Sequence, residues 1–138
     1  MNIHSPCEQV KTALGVAAAI TAATNNGTGI DCLGFENAKV VLYSAPSGSG
    51  TTSDVKVQDS ADNSTFADVT SAAFTQVTTA GGAKIYVGEI KLAKRARYIR
   101  IVHTGAGGSA AGFVVATVEL YSARRKPVTQ TNAAVFSV

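Results

Sequence analysis

The stretch VKVQDS, residues 55 to 60, alternates apolar and polar side chains, with Val55 and Val57 on one side and Lys56 and Gln58 on the other. A period of two belongs to a half-buried strand, because successive side chains of extended backbone point to opposite faces. Two further runs, RYIRIVHT and GFVVATVELYS, are the strongest strand signals in the chain, and AKVVLYSA, FADVT, FTQVT and AKIYVGEIKL supply others. Valine and isoleucine total 23 of 138 residues against five leucines, a bias toward side chains that fit a pleated surface and resist helices. The expected fold class is all-β, a single antiparallel β-sandwich or jelly roll of about seven or eight short strands.

Turn chemistry separates these runs. TNNGTG (24–29), PSGSGTTSD (46–54), ADNST and GAGGSAAG (105–112) are rich in residues that accept turn conformations. IDCLGF and AKVVLYSA read as two strands parted by ENA, and Gly88 reads as a bulge candidate in a strand that presents Ile85, Val87 and Ile90 on alternating positions. GAGGSAAG has near-fingerprint glycine spacing for phosphate binding, but it leads into a strand rather than a helix and reads as a long hairpin loop. Residues 1–24 are expected to form an N-terminal arm with a first strand, 25–123 the sandwich, and 124–138 a C-terminal arm.

Alanine, threonine, serine and glycine fill 62 of the 138 positions, so much of the 46% apolar content buries little area. A core that thin suits a protein completed by neighbours in an assembly, since binding to the native state adds to its stability. Charge is polarised: residues 1 to 83 carry three basic and seven acidic groups, net −4, and residues 84 to 138 nine basic and two acidic, net +7. Nucleic-acid binders show a denser cationic footprint with interleaved aromatics, so none is expected as a partner. Unlike halves fit contact between protein surfaces. No stretch approaches the ~20 apolar residues of a bilayer span, and none of the sequence predicts a membrane partner. ALGVAAAITAA (13–23) imitates a signal peptide only faintly, with Glu8 in its would-be basic segment, and the chain is expected to be made in the host cytoplasm and left unprocessed.

Catalytic and metal chemistry finds little to work with. His4 and His103 have no motif partner for nucleophilic catalysis, and Asp59 and Asp62 sit in a turn where aspartate serves local hydrogen bonds. DSADNST lacks the glycine and distal glutamate of a calcium loop, and His4, Cys7 and Cys32 fall short of a four-ligand zinc site. Cys7 and Cys32 read as free thiols. No catalytic residue, metal or cofactor is expected.

The pairing of VKVQDSADNSTFADVT with the later RARYIRIVHTG resembles the strand, turn and final strand pattern of discoidin-type β-sandwich domains over about half the chain. A resemblance over nearly the whole chain is to small proteins of the head gene modules of tailed bacteriophages. It is carried by Gly29, Asp31, Gly34 and Phe35; by Val55, Gln58, Asp62 and Phe66; by Arg97, Tyr98 and Arg100; and by Arg125 to Pro127. That resemblance implies a virion structural protein, a capsid decoration or cement protein whose partners are the major capsid protein and copies of itself, with trimers as one arrangement. A carbohydrate-binding, tail-fibre or head-completion component is the alternative.

Candidate contact residues follow. Alternation puts Arg95, Arg97, Ile99, Ile101 and His103 on one side of their strand and Tyr98, Arg100 and Val102 on the other. Arg95, Arg97 and Arg100 could emerge at a rim to meet partner carboxylates, or Arg97 and Arg100 could pair within the domain with Asp59, Asp62 or Glu89. Arg124, Arg125 and Lys126 have no nearby acid in sequence, and Phe136 could anchor the arm beyond them on a neighbour.

Overall fold

The computed structural model describes residues 6–107 and 112–130. One helical turn, α1 (Pro6–Gln9), leads into ten strands: β1 (Lys11–Ala19), β2 (Thr24–Asn26), β3 (Ile30–Asp31), β4 (Phe35–Pro46), β5 (Thr52–Ser60), β6 (Ala67–Ala73), β7 (Val77–Thr78), β8 (Lys84–Lys91), β9 (Tyr98–Ala106) and β10 (Gly112–Ala123). One sheet runs β1-β10-β4-β8 and the other β2-β9-β5-β6, with β3 added on β9 and β7 on β5. With the two-residue β3 and β7 set aside, the remaining eight strands pair first with eighth, second with seventh, third with sixth and fourth with fifth, all antiparallel. That is a long hairpin rolled into two facing sheets, a jelly roll, as the alternating runs lead one to expect.

The inward positions are those that period two selects. Ala38, Val40 and Leu42 of β4, Val55 and Val57 of β5, Ile99 and Ile101 of β9, and Val114, Ala116, Val118 and Leu120 of β10 are all buried. Each such Val, Leu or Ile contributes about 1.5–3 kcal/mol by leaving water. Aromatic rings stay at the margins: Phe35, Phe74 and Tyr86 are only partly buried against this core. Small residues let the backbone close up. Gly27 approaches the Gly15 carbonyl so tightly that a β-carbon there would lie 1.9 Å from the oxygen, and Gly105 meets Thr21 in the same way at 2.2 Å.

Several local expectations are corrected. Phe35–Pro46 is one continuous strand, so ENA does not interrupt it: Asn37 pairs with Tyr121 and Lys91, and Ala38 with Leu120 and Ile90. IDCLGF is not a strand beyond Ile30–Asp31, because Gly34 at φ 88° turns the chain. TNN in TNNGTG pairs with β9 instead of turning. The β4–β8 register is unbroken through Gly88; register shifts occur beside Gly15 in β1 and opposite Val57 in β6. GAGGSAAG is not a hairpin loop, since β9 and β10 belong to different sheets and the connection crosses between them. Ile85 and Val87 point outward, 69% and 60% exposed, while Tyr86, Gly88 and Ile90 face in.

Candidate interaction surface

The arginines of the cationic strand are engaged inside the domain. Arg97 forks onto Asp31, Nε donating to Oδ1 at 2.9 Å and Nη2 to Oδ2 at 2.7 Å, and its guanidinium lies 5.1 Å over the Tyr98 ring. The hydrogen bonds from Arg97 hold the Asp31 carboxyl below its usual range. Arg100 donates through Nε to Gln58 Oε1 at 2.8 Å and stacks 4.1 Å over Phe66. Gln58 in turn donates to Asp68 at 2.7 Å, which also accepts from Lys56 at 2.8 Å. Arg95 reaches Asp59 only loosely, at 3.9 Å. Inside the domain, Asp59 serves Arg95, Asp31 serves Arg97, and Gln58 with Phe66 serves Arg100. Asp62 holds its own turn instead: Oδ1 accepts from the Ser64 and Thr65 amides and from the Ser60 hydroxyl, which lowers its pKa to about 2.

Five of the positions that carry the sequence resemblance, Asp31, Gln58, Phe66, Arg97 and Arg100, thus lie in one corner that ties β3 and the 61–66 turn to β5 and β9. They act as internal fasteners.

The basic cluster after β10 is more open. The Arg124 amide donates to the Gly34 carbonyl at 2.8 Å, while its side chain is 68% exposed and 3.8 Å from Glu36. Arg125 is exposed, and Lys126 donates to Gln9 Oε1 at 3.3 Å. The Val128 amide meets the Glu8 carbonyl at 3.0 Å, which lays this segment beside the start of β1. Phe136 lies outside the described residues.

His103 is fully buried. Its Nδ1 is 3.3 Å from the Asn25 amide nitrogen, and Nε2 has no partner. Desolvation lowers its pKa, against a smaller opposing pull from Asp54. The hydroxyls of Ser44 and Ser53 are likewise buried without a partner, so among the described residues no serine is hydrogen-bonded to this imidazole. No group of three or more His, Cys, Asp or Glu among the described residues could hold a metal ion, and no helix there is long and apolar enough to cross a membrane. A groove of about 350 Å³ opens between the edge strands β6 and β8, floored by Val40, Val57 and Val69 and flanked by Phe74, Glu89 and Arg95.

The largest unexplained feature is apolar. Six large apolar side chains are exposed among the described residues, and five of them, Leu14, Tyr43, Ile85, Val87 and Phe113, share the outer face of the β1-β10-β4-β8 sheet. Register aligns them: Ala17, Val115, Tyr43 and Ile85 form one cross-strand row, and Leu14, Thr117, Val41 and Val87 the next. Beyond these rows the charges close on each other, with Lys39 3.1 Å from Glu119 and the Tyr121 hydroxyl donating to Glu89 at 2.5 Å. Sequence reasoning missed this face. Its signal was present in β4, where Val40, Val41, Leu42 and Tyr43 make both sides of one strand apolar. A continuous apolar face rimmed by polar residues marks a contact surface.

No protein-family model matches the chain, and no curated protein does. Solved structures share its fold. The PBSX exported protein XepA matches over 92% of this chain with a TM-score of 0.58 at 16% identity, and the chain spans 42% of that protein's length. The SPBc2 prophage-derived protein YomS matches over 88% of this chain and 100% of its own, with a TM-score of 0.53 at 13% identity. The two-sheet fold is one that this chain has in common with an exported protein and a prophage-derived protein.

Proposed function

We propose that this chain is a non-enzymatic structural protein of a phage particle, a decoration or cement protein that adds to the outer surface of the major capsid protein shell and stabilises it. The observation that carries the reading is the open basic cluster after β10, where Arg124 is 68% exposed and Arg125 stands in solvent, on a jelly roll that also leaves large apolar side chains uncovered. The fold it has in common with XepA and YomS supports a place in phage biology. Neither metal nor cofactor enters the reading, and the shell is its protein partner. Arg124, Arg125 and Lys126, on the positive half of the chain, are the contacts assigned to acidic groups of the shell. Repetition over a shell makes individually weak contacts sufficient.

The test is copy number and dependence on the basic cluster. Purified particles should carry the chain in hundreds of copies and withstand heating better with it than without it. The triple substitution Arg124→Glu, Arg125→Glu and Lys126→Glu should abolish its addition while leaving the fold intact. About a dozen copies or fewer would assign the chain to a connector or fibre instead.

A further inference from the structure

We infer that the outer face of the β1-β10-β4-β8 sheet is the self-association surface of this protein, joining two copies face to face about a two-fold axis. The inference concerns the isolated chain and stands whether or not a shell is its other partner.

Charge points to a second copy. The chain carries a formal net charge of +3, so a self-contact is favoured where it brings no net like charge together. The charged groups directed outward from this face are Lys39, Lys91, Glu89 and Glu119, which sum to zero. Lys39 and Glu119 already form an ion pair, and Glu89 already accepts a hydrogen bond from Tyr121. A partner selected by charge would find nothing to read here, whereas an identical face meets it without a like-charge cost. A pleated face with short apolar side chains is complemented by another such face, the two sheets stacking about 10 Å apart with their side chains interdigitated.

Size sets the strength. Four strands at about 4.8 Å spacing and about 3.4 Å per residue give the face roughly 650 Å² in plan, of which the apolar rows take roughly 400 Å². A standard specific interface covers about 800 Å² per partner. Contact over this face therefore sits at the small end of specific interfaces, and the association is reversible and concentration-dependent.

Sedimentation velocity of the full chain under reducing conditions, over a concentration series, tests the assignment. The wild type should shift from monomer toward dimer as concentration rises. Ile85→Lys combined with Val87→Lys places four like charges across the two-fold at exposed edge-strand positions that tolerate lysine. That variant should remain monomeric with unchanged circular dichroism and melting temperature. Leu33→Lys removes the sixth exposed apolar side chain, which lies off this face, and should dimerise like the wild type. A wild type that stays monomeric throughout, or a double variant that associates as the wild type does, overturns the inference. A monomeric wild type whose double variant no longer adds to particles gives the face to the shell and also overturns it. Dimerisation lost in the double variant with shell addition retained upholds the inference and leaves the shell reading standing.

Discussion

Arg97 is joined to Asp31 across 66 residues of sequence by two hydrogen bonds, fastening β3 to the start of β9. Both side chains are well exposed, 46% and 38%, so solvent screens the pair and its contribution is small. Arg97→Ala should lower the melting temperature by a few degrees at most and leave addition to particles unchanged. The Asp31 carboxyl is held below its usual value, so the stabilisation is present above the unfolded pKa and lost as pH falls through the folded one. The gap between wild type and variant should therefore close in acid, as urea midpoints at neutral and strongly acidic pH would show.

Neighbouring residues of β4 should behave oppositely. Leu42 is fully buried and Tyr43 is 42% exposed on the outer face. Leu42→Ala should cost about 2–5 kcal/mol in chemical denaturation, from lost transfer energy and the cavity left behind. Tyr43→Ala should leave stability nearly unchanged and weaken self-association. Equal destabilisation by the two would show that Tyr43 packs on its own domain.

His103 should make stability depend on pH below neutrality. Burial depresses its folded pKa below the unfolded value, so between the two the unfolded chain binds the extra proton. Stability should therefore rise with pH through that window and fall on acidification from pH 7. His103→Leu should flatten this dependence below neutrality, where the ordinary imidazole value of about 6.5 sets the upper edge of the window. Denaturation midpoints across that range are the measurement, and an unchanged slope in the variant would remove His103 as the cause.

Two glycines separate space from sequence. A β-carbon on Gly105 would sit 2.2 Å from the Thr21 carbonyl oxygen, which is backbone and cannot swing aside, whereas at Gly81 nothing lies within 4 Å. Gly105→Ala should cost about 1–3 kcal/mol or more, and Gly81→Ala should change stability by no more than about 0.5 kcal/mol. Thermal melts of the two variants decide it.

Cys32 should be chemically silent in the native protein. Burial and the adjacent Asp31 push its thiol up to about 12, so almost none is thiolate, the reactive form, near neutrality. In a Cys7→Ser background a disulfide reagent at pH 8 should titrate no thiol until denaturant is added. Rapid labelling in native buffer would count against the burial of Cys32.

Period two was legible wherever one face was buried and the other polar, as in Val55 to Gln58, and those runs sufficed for the two-sheet fold. It failed where both faces were apolar. Ile85 and Val87 alternate as core residues would, but on an edge strand alternation gives the period and not the phase. The phase is set by Tyr86 and Gly88 meeting Phe74, a contact between distant segments. Partners were equally hidden: Asp31 for Arg97 and Gln58 for Arg100 become neighbours only through the β3–β9 and β5–β9 registers. The cationic strand looked adhesive because its acceptors lay elsewhere in the chain, and the apolar outer face, whose four charges sum to zero, carried no net charge to draw attention to it.

The pairing of β1 with β10 has a temporal consequence. During synthesis β4 and β8 can join as soon as both have emerged, but the strand that belongs between β1 and β4 is the last of the ten to be made. Until then β1 has no neighbour in its sheet, and the apolar inner side of β4 lacks the strand that should flank it. A chain arranged in this way completes its fold only once β10 has been made, so ribosome stalling shortly before Gly112 would leave an open, aggregation-prone half-roll.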